Sequence, residues 1–360
     1  MPRVAFYAPM KPPTHPVPSG DRALARALMA AIDAAGARVD LVSELQLRDG
    51  RGDPELQARL RRAARAEAER LSDALAGNAD LWVTYHNYYK APDLIGPDVC
   101  RRLGLPYVQI ESTRAKSRLS GPWAGFAEAA EAACDAADLI FYLTALDRIT
   151  LERDRRAGQR LVHLRPFLPI HDLPPAARPA PDAPILAVGM MRAGDKLASY
   201  RIIADTLAHL RGDWRLEIAG DGPARPEIAA LLAPFAPRVR FLGQLAPEAL
   251  VDAYARAALL LWPGAGEAFG LVYLEAQSAG LPVVAQDRPG VRDVLAPGRY
   301  PAPEAGPEAL AGAVQALLDD PAARAAAGAR ARAHVARHHL LGPAAATFRA
   351  AALPLLERRA

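Results

Sequence analysis

The chain has 360 residues, 51% of them hydrophobic and 23% charged, which suits about two globular domains with sizeable cores and excludes a disordered polymer. The formal net charge is +4, with 24 basic against 21 acidic side chains over residues 1–170 and 20 against 19 beyond, so neither half is a basic nucleic-acid-binding domain. Cys100 and Cys134 lack metal-site spacing and read as reduced structural thiols of a cytosolic protein, and no apolar run approaches the roughly 20 residues of a membrane span.

The first residues, Pro2 to Pro9, read as a strand without the apolar core of a signal peptide, which places the chain in the cytoplasm. The mild positive balance leaves open a peripheral contact at the inner face of a membrane. Val4–Tyr7 is expected to be the first strand and Asp21–Ala35 an amphipathic helix stopped by Gly36. Between them lies a long proline-rich loop, Pro12 to Asp21, at the carboxyl edge of a sheet. Its Ser19 is a helix-capping residue type before the helix. Val39–Val42 reads as a strand. Glu55–Ala76 reads as a long helix with Leu56, Leu60, Leu71 and Leu75 inward. Leu81–Thr84, Tyr107–Ile110 and Leu139–Tyr142 are further short apolar strands, and strands alternating with helices imply a parallel, doubly wound sheet.

Proline density from Pro166 through Pro184 resists both helix and sheet and marks an interdomain linker. The alternation then restarts with strands at Ile185–Val188, Arg215–Ala219 and Val239–Phe241, and a helix at Pro247–Arg256. The domains expected are 1–168, a linker at 169–184, a second domain at 185–341, and a C-terminal helix at 342–360, kinked at Pro354. The Ala- and Arg-rich stretch from Pro321 to Arg337 reads as a surface helix.

The most informative stretch is Trp262 to Ala276. An apolar run from Ala257 to Trp262 is followed by a small-residue turn, then by a helix that stops at Gly280-Leu281-Pro282, then by the apolar Val283-Val284-Ala285. Strand, glycine loop, helix, strand is how an open α/β sheet builds an anion-binding crevice at its carboxyl edge. Backbone N–H groups of Phe269, Gly270 and Leu271, in the first helical turn, lack helical partners and suit phosphate oxygens. Glu267 on the loop can reach a sugar's hydroxyls, and Glu275, about one and a half turns into the helix, can grip two vicinal ribose hydroxyls. Phosphate donors between two hydroxyl-binding carboxylates suit a nucleotide-sugar.

Glu267-Ala-Phe-Gly-Leu-Val-Tyr-Leu-Glu275-Ala, followed by Gly-Leu-Pro-Val-Val-Ala, resembles the signature of glycosyltransferase family 4, retaining enzymes of the GT-B fold. The resemblance implies two doubly wound, Rossmann-like parallel-sheet domains facing each other across a cleft, with the C-terminal helix packing back on the first. It implies that Glu267 contacts the donor sugar, Glu275 the ribose, and the backbone of Phe269, Gly270 and Leu271 the diphosphate. It nominates Gly20 as the glycine of a loop that closes over the diphosphate. It also expects a basic residue directly after Gly189 and a lysine some six positions on. Lys196 matches the lysine, but Met190 stands at the basic position, which moves that role to Arg192. Gly220, in Ala219-Gly-Asp-Gly-Pro223, resembles the turn near the nucleotide, and Leu242 the strand end beside the base. Both positions also fit ordinary turn chemistry.

Relatives of this kind often carry a histidine after the strand that here precedes Glu111, facing the donor sugar. His86 ends the neighbouring strand, so His86 takes that role, Glu111 does, or neither does. The implied reaction is metal-independent, retaining transfer of a sugar to a glycan, lipid-linked or small-molecule acceptor. It needs no cofactor, the nucleotide-sugar being a substrate. A glycosidase would need its two carboxyl groups for a poor alkoxide leaving group. A nucleoside diphosphate instead leaves once its charge is neutralised, which a helix start and Lys196 provide. A nucleotide-sugar epimerase of similar fold and a catalytically inactive binding subunit are the alternatives. Nucleic acid is not an expected partner.

Overall fold

The structure, a computed structural model, describes residues 1–17 and 19–357. The chain divides into two compact units, one of Met1–Arg165 joined by the chain from Leu341 onward, the other of Pro166–Leu340.

Among the described residues, the first unit holds a six-stranded parallel sheet of β1 (Arg3–Tyr7), β2 (Arg38–Ser43), β3 (Leu81–Tyr85), β4 (Tyr107–Ile110), β5 (Leu139–Tyr142) and β6 (Arg160–His163), in the order β2-β1-β3-β4-β5-β6. β3 and β4 are buried throughout, as mostly apolar strands in a doubly covered sheet should be. Polar side chains also enter this core, Asp93 among them. Asp93 accepts from the Tyr107 hydroxyl (2.7 Å) and the Thr84 hydroxyl, and its other oxygen caps Ile95 and Gly96 at the start of the helix Gly96–Leu103.

The long helix Pro54–Leu75 turns inward the face its leucines mark, except at its first turn. Ala64, Ala68 and Leu71 are buried, Leu60 and Leu75 flank them half-buried, Leu56 lies outside the cluster, and Gln57 points in to donate to Asp49 (2.8 Å). Ala64 and Ala68 fill the same face between the leucines. The strand β6 carries alternating Arg160 and Val162 and escapes an apolar-run search. The helix Leu341–Ala352 completes this unit against the helix Gly20–Ala34: Arg349 donates to the carbonyls of Ala35 (2.7 Å) and Ala34 (3.1 Å), and Phe348 stacks on Phe141. A second short helix, Pro354–Glu357, begins at the proline, and the last three residues of the expected C-terminal helix lie outside the described residues.

The second unit holds, among the described residues, a five-stranded parallel sheet of β7 (Ile185–Val188), β8 (Leu216–Ala219), β9 (Val239–Gly243), β10 (Leu259–Leu261) and β11 (Val283–Val284), in the order β11-β10-β7-β8-β9. The proline-rich stretch forms no helix or strand and is tied to this unit, with Ala177 N–H donating to Ala279 O (2.7 Å) and Arg178 N–H to Ala255 O (3.1 Å). The Ala- and Arg-rich helix Pro321–His338 is more than surface. Gly328 packs so close to Gly280 that a Cβ there would stand 2.1 Å from the Gly280 carbonyl oxygen, and Ala331 and Val335 are buried.

Each sheet reverses its strand order once, between β1 and β3 in the first unit and between β7 and β10 in the second. The loops leaving two such neighbouring strands diverge to opposite faces and open a crevice at the carboxyl edge. Lys196 and Glu267 lie at the second of these places and Asp21 and His86 at the first, while Gly220 and Leu242 lie at the end of β8 and on β9, away from the switch point.

Candidate active site

In the second unit the loop after β7 meets the loop after β10. A left-handed Gly194 (φ +80°) opens the helix Asp195–Leu207, and Lys196 in its first turn reaches Glu267 to form an ion pair. The same Glu267 oxygen accepts from the Trp262 indole N–H (2.9 Å), and the Lys196 ammonium lies 5.3 Å from the centre of the Trp262 ring. Glu267 is therefore oriented by two donors, and Lys196 keeps N–H groups for a further acceptor. Trp262 is itself locked edge-on to Tyr200, whose hydroxyl donates to Gly189 O (2.7 Å). Ser199 accepts from Ala265 N–H (3.0 Å), and Tyr273 donates to Trp262 O (3.0 Å).

Three glycines in this loop are held left-handed where no side chain fits. A Cβ on Gly264 would strike the Tyr273 hydroxyl at 2.3 Å, one on Gly266 would overlap Asp195, and one on Gly270 would meet the Tyr273 ring at 2.7 Å. Gly270 caps the helix Leu271–Ser278 with no side chain supplying acceptors. Among the described residues the N–H groups of Phe269, Gly270 and Leu271 donate to no protein acceptor, so a run of three backbone donors stands beside Glu267.

Glu275 lies on that helix, half-buried, with one oxygen accepting from the Tyr254 hydroxyl (2.8 Å). Burial lifts its carboxyl above the ordinary range, and the Tyr254 hydrogen bond offsets part of that. The other proposed donor residues of this unit are less committed. Arg192 is exposed, and its guanidinium makes no hydrogen bond or ion pair among the described residues. Gly220 (φ +141°) has an internal reason to be glycine, since a Cβ would stand 2.0 Å from the Gly189 carbonyl oxygen. Leu242 sits in an irregular register of the edge strand β9, where Ile218 pairs with Phe241 and Ala219 with Gly243.

In the first unit, His86 and Glu111 directly follow the adjacent strands β3 and β4. They are the two non-glycine residues at positive φ among the described residues, +69° and +57°. His86 Nδ1 lies 3.9 Å from Glu111 Oε2 and 3.8 Å from Asp21 Oδ1. Both His86 Nδ1 and Glu111 Oε2 are buried without a hydrogen-bond partner. Burial pushes His86 down to about 4 and Glu111 up to about 8, the latter helped by the negative charges of Asp147 and Asp21 and opposed by the Tyr85 hydroxyl. Asp21 arrives on the helix Gly20–Ala34, whose N-terminus Ser19 caps through Arg22 N–H (3.3 Å). A Cβ on Gly20 would meet nothing within 4 Å, so this chain's own packing does not require glycine there.

Sequence reasoning passed over Trp262, Tyr254 and Asp21. Trp262 was readable as the residue ending the apolar strand before Glu267, whereas nothing in the spacing links Tyr254 to Glu275 or Asp21 to His86. Among the described residues no three His, Cys, Asp or Glu side chains gather as metal ligands. None of the described helices is long and apolar enough to cross a membrane.

Two doubly wound units, the second with a carboxylate on a glycine loop at its switch point, define the GT-B glycosyltransferase fold. Sucrose-phosphate synthase from Thermosynechococcus elongatus matches 100% of this chain and 99% of its own, with a TM-score of 0.71 at 20% identity. Residues 183–320, most of the second unit, match the family Glycosyl transferases group 1. The GDP-mannose-dependent monoacylated alpha-(1-6)-phosphatidylinositol monomannoside mannosyltransferase of Corynebacterium glutamicum is 35% identical over 133 residues, 35% of this chain and 35% of that protein. Alpha-D-kanosaminyltransferase of Streptomyces kanamyceticus is 32% identical over 250 residues, 62% of this chain and 64% of that protein. The chain thus spans about a third of the first relative's length and under two thirds of the second's.

Proposed function

We propose that the protein is a retaining glycosyltransferase that moves a sugar from a nucleoside-diphosphate sugar to an acceptor hydroxyl. The observation that carries this reading is the paired Lys196 and Glu267 beside the three unengaged N–H groups of Phe269, Gly270 and Leu271. A diphosphate leaves when its growing charge is met by fixed donors, and backbone N–H groups with an ammonium supply them without reorganisation. Glu267, held by Lys196 and Trp262, presents a carboxylate to the hydroxyls of the donor sugar. Glu275 suits the ribose, with Arg192, Gly20, Gly220 and Leu242 as further donor-binding positions. The GDP-mannose dependence in the name of the Corynebacterium glutamicum relative agrees with a nucleotide-sugar donor.

Retention follows in this reading from attack on the face the diphosphate leaves, with a departing phosphate oxygen taking the acceptor proton. The reaction is proposed to need no metal. The test is incubation of the protein with UDP-, GDP-, ADP- and dTDP-sugars, with and without an acceptor library, in the presence and absence of a chelator. Nucleotide release that requires an acceptor, yields a product with the donor's anomeric configuration and survives the chelator is the expected result. An altered sugar without acceptor would mean epimerisation, and binding without turnover a non-catalytic subunit.

A further inference from the structure

A cavity of about 400 Å³ lies at the amino edge of the second unit's sheet, at the opposite end of β10 from Trp262 and Glu267. Its size falls in the range of small-molecule pockets, roughly 300–1,000 Å³. Ala257 and Ala258, just before β10, and Leu281 and Pro282, just before β11, line it together with the proline-rich stretch and the helix Pro321–His338. The backbone bonds from Ala177 to Ala279 and from Arg178 to Ala255 fix the proline-rich stretch in place there.

Among the lining residues, two arginines alone carry polar side-chain atoms. Arg324 is 8% exposed, and among the described residues no carboxylate lies within ion-pair distance of it. The acidic residue closest to it in sequence, Asp320, is committed to the helix start, where it accepts from the N–H groups of Ala322 and Ala323 (2.9 Å each). One guanidinium nitrogen of Arg324 donates to Leu317 O (3.3 Å). The other two make no hydrogen bond and are not sealed from solvent, so their N–H groups face a space that a ligand can enter. Arg332, about two turns further along the helix, donates to Ser278 O and likewise has no carboxylate partner. The other arginine buried to this degree, Arg114, is paired twice, with Glu131 and Asp135 at 2.7 Å. Taking a guanidinium out of water without a counter-ion is unfavourable, so a ligand that brings an anion to Arg324 is favoured.

The rest of the lining says what else that ligand carries. No acidic, hydroxyl, amide or aromatic side chain lines the cavity. A sugar would find no side-chain acceptor for its hydroxyls, and a nucleotide base no ring to stack on. Alanine, proline and leucine carbons instead suit a hydrocarbon. We propose that the cavity binds a single-chain aliphatic oxyanion, its carboxylate or phosphate on Arg324 and its chain on these carbons, with Arg332 as a second cation at the site. A planar guanidinium with N–H groups to spare holds such a head by charge-assisted hydrogen bonds. The ligand is neither donor nor acceptor of the transferase reading, and its binding does not depend on that reading.

Calorimetry on the full chain tests this with octyl phosphate and octanoate, both below their micelle concentrations, against octanol and inorganic phosphate. At least one octyl anion should bind roughly tenfold or more tightly than octanol and than phosphate. Arg324→Met keeps the apolar stem and removes the charge. It should bring the octyl anions down to the affinity of octanol. It should also leave the melting temperature without ligand unchanged or higher, because an unpaired buried charge has gone. Ala329→Trp, at an exposed position of the helix lining the cavity, should block octyl ligands with Arg324 intact. Neither variant should alter affinity for a nucleoside diphosphate. Failure of both octyl anions to bind, equal binding of octanol or of inorganic phosphate, an unaltered preference in Arg324→Met, or octyl binding that survives Ala329→Trp would overturn the proposal.

Discussion

His86 Nδ1 and Glu111 Oε2 face each other at 3.9 Å, both buried, both without a hydrogen-bond partner, each on a left-handed backbone. Strained φ for side chains of this size costs of order 1–3 kcal/mol and persists where the surroundings over-determine it. With Glu111 raised to about 8 and His86 lowered to about 4, the pair is uncharged at neutral pH, a carboxylic acid that donates beside an imidazole that accepts.

That charge state predicts a pH profile for stability. Glu111 binds a proton more tightly folded than unfolded, so its contribution is full below 4.5 and is lost as pH rises through about 8. His86 has the opposite sign: its contribution is present above 6.5 and is lost as pH falls through about 4. Glu111→Gln keeps the shape without the titration and should flatten the fall in melting temperature on the alkaline side. Unchanged slopes in wild type and variant would show that Glu111 is ionised throughout.

Glu267→Gln should preserve the fold and lower kcat by roughly a hundredfold or more, since it exchanges an oriented charge for a dipole where charge develops. Lys196→Ala should weaken nucleotide affinity as well as kcat, because Lys196 serves both Glu267 and the proposed diphosphate. Steady-state kinetics with nucleoside-diphosphate inhibition separates the two patterns. A near-normal rate for Glu267→Gln would remove it from the chemistry.

Glu275→Gln tests the ribose contact. With Tyr254 still able to hydrogen-bond the amide, the expected loss is roughly tenfold in affinity for a ribonucleoside diphosphate. A 2′,3′-dideoxy analogue should bind wild type and variant alike. Equal losses for both ligands would mean that Glu275 acts only by holding its helix.

Two glycines should respond in opposite ways. Gly220→Ala drives a Cβ to 2.0 Å from the Gly189 carbonyl oxygen and should destabilise by about 2–4 kcal/mol in denaturant unfolding. Gly20→Ala meets open space and should leave stability within about 1 kcal/mol. If the loop before it closes over phosphate, Gly20→Ala should nonetheless weaken donor binding, and unchanged binding would take Gly20 out of the site.

The strands were readable because doubly covered parallel strands are mostly apolar, Gln109 being the polar exception, and Tyr107–Ile110, Leu139–Tyr142 and Ile185–Val188 were located to the residue. The loop at Glu267 was readable because its glycines sit where a strand must turn sharply into a helix. Long-range pairings were not. Nothing local joins Lys196 to Glu267 across 71 positions, or His86 to Asp21. The strand order that puts β10 beside β7 brings the first pair together, and the one that puts β3 beside β1 brings the second. The buried face of Pro54–Leu75 was readable from Leu60, Leu71 and Leu75, while Ala64 and Ala68 on that face gave no signal of their own and Leu56 lies outside it. Residues such as Tyr254 and Trp262, which orient a carboxylate without touching a ligand in our reading, have no sequence signature of their own.

The first unit closes only when residues after Leu341 reach it, whereas the second is one unbroken stretch of chain. On a ribosome, therefore, the middle of the protein can reach its final form while the beginning still waits for the end. Nascent first-unit sheet, with the groove beside Phe141 and the carbonyls of Ala34 and Ala35 uncovered, must persist through synthesis of some 175 intervening residues, Pro166 to Leu340. A stop codon near Leu341 would accordingly injure the amino-terminal lobe and spare the one next to the lesion.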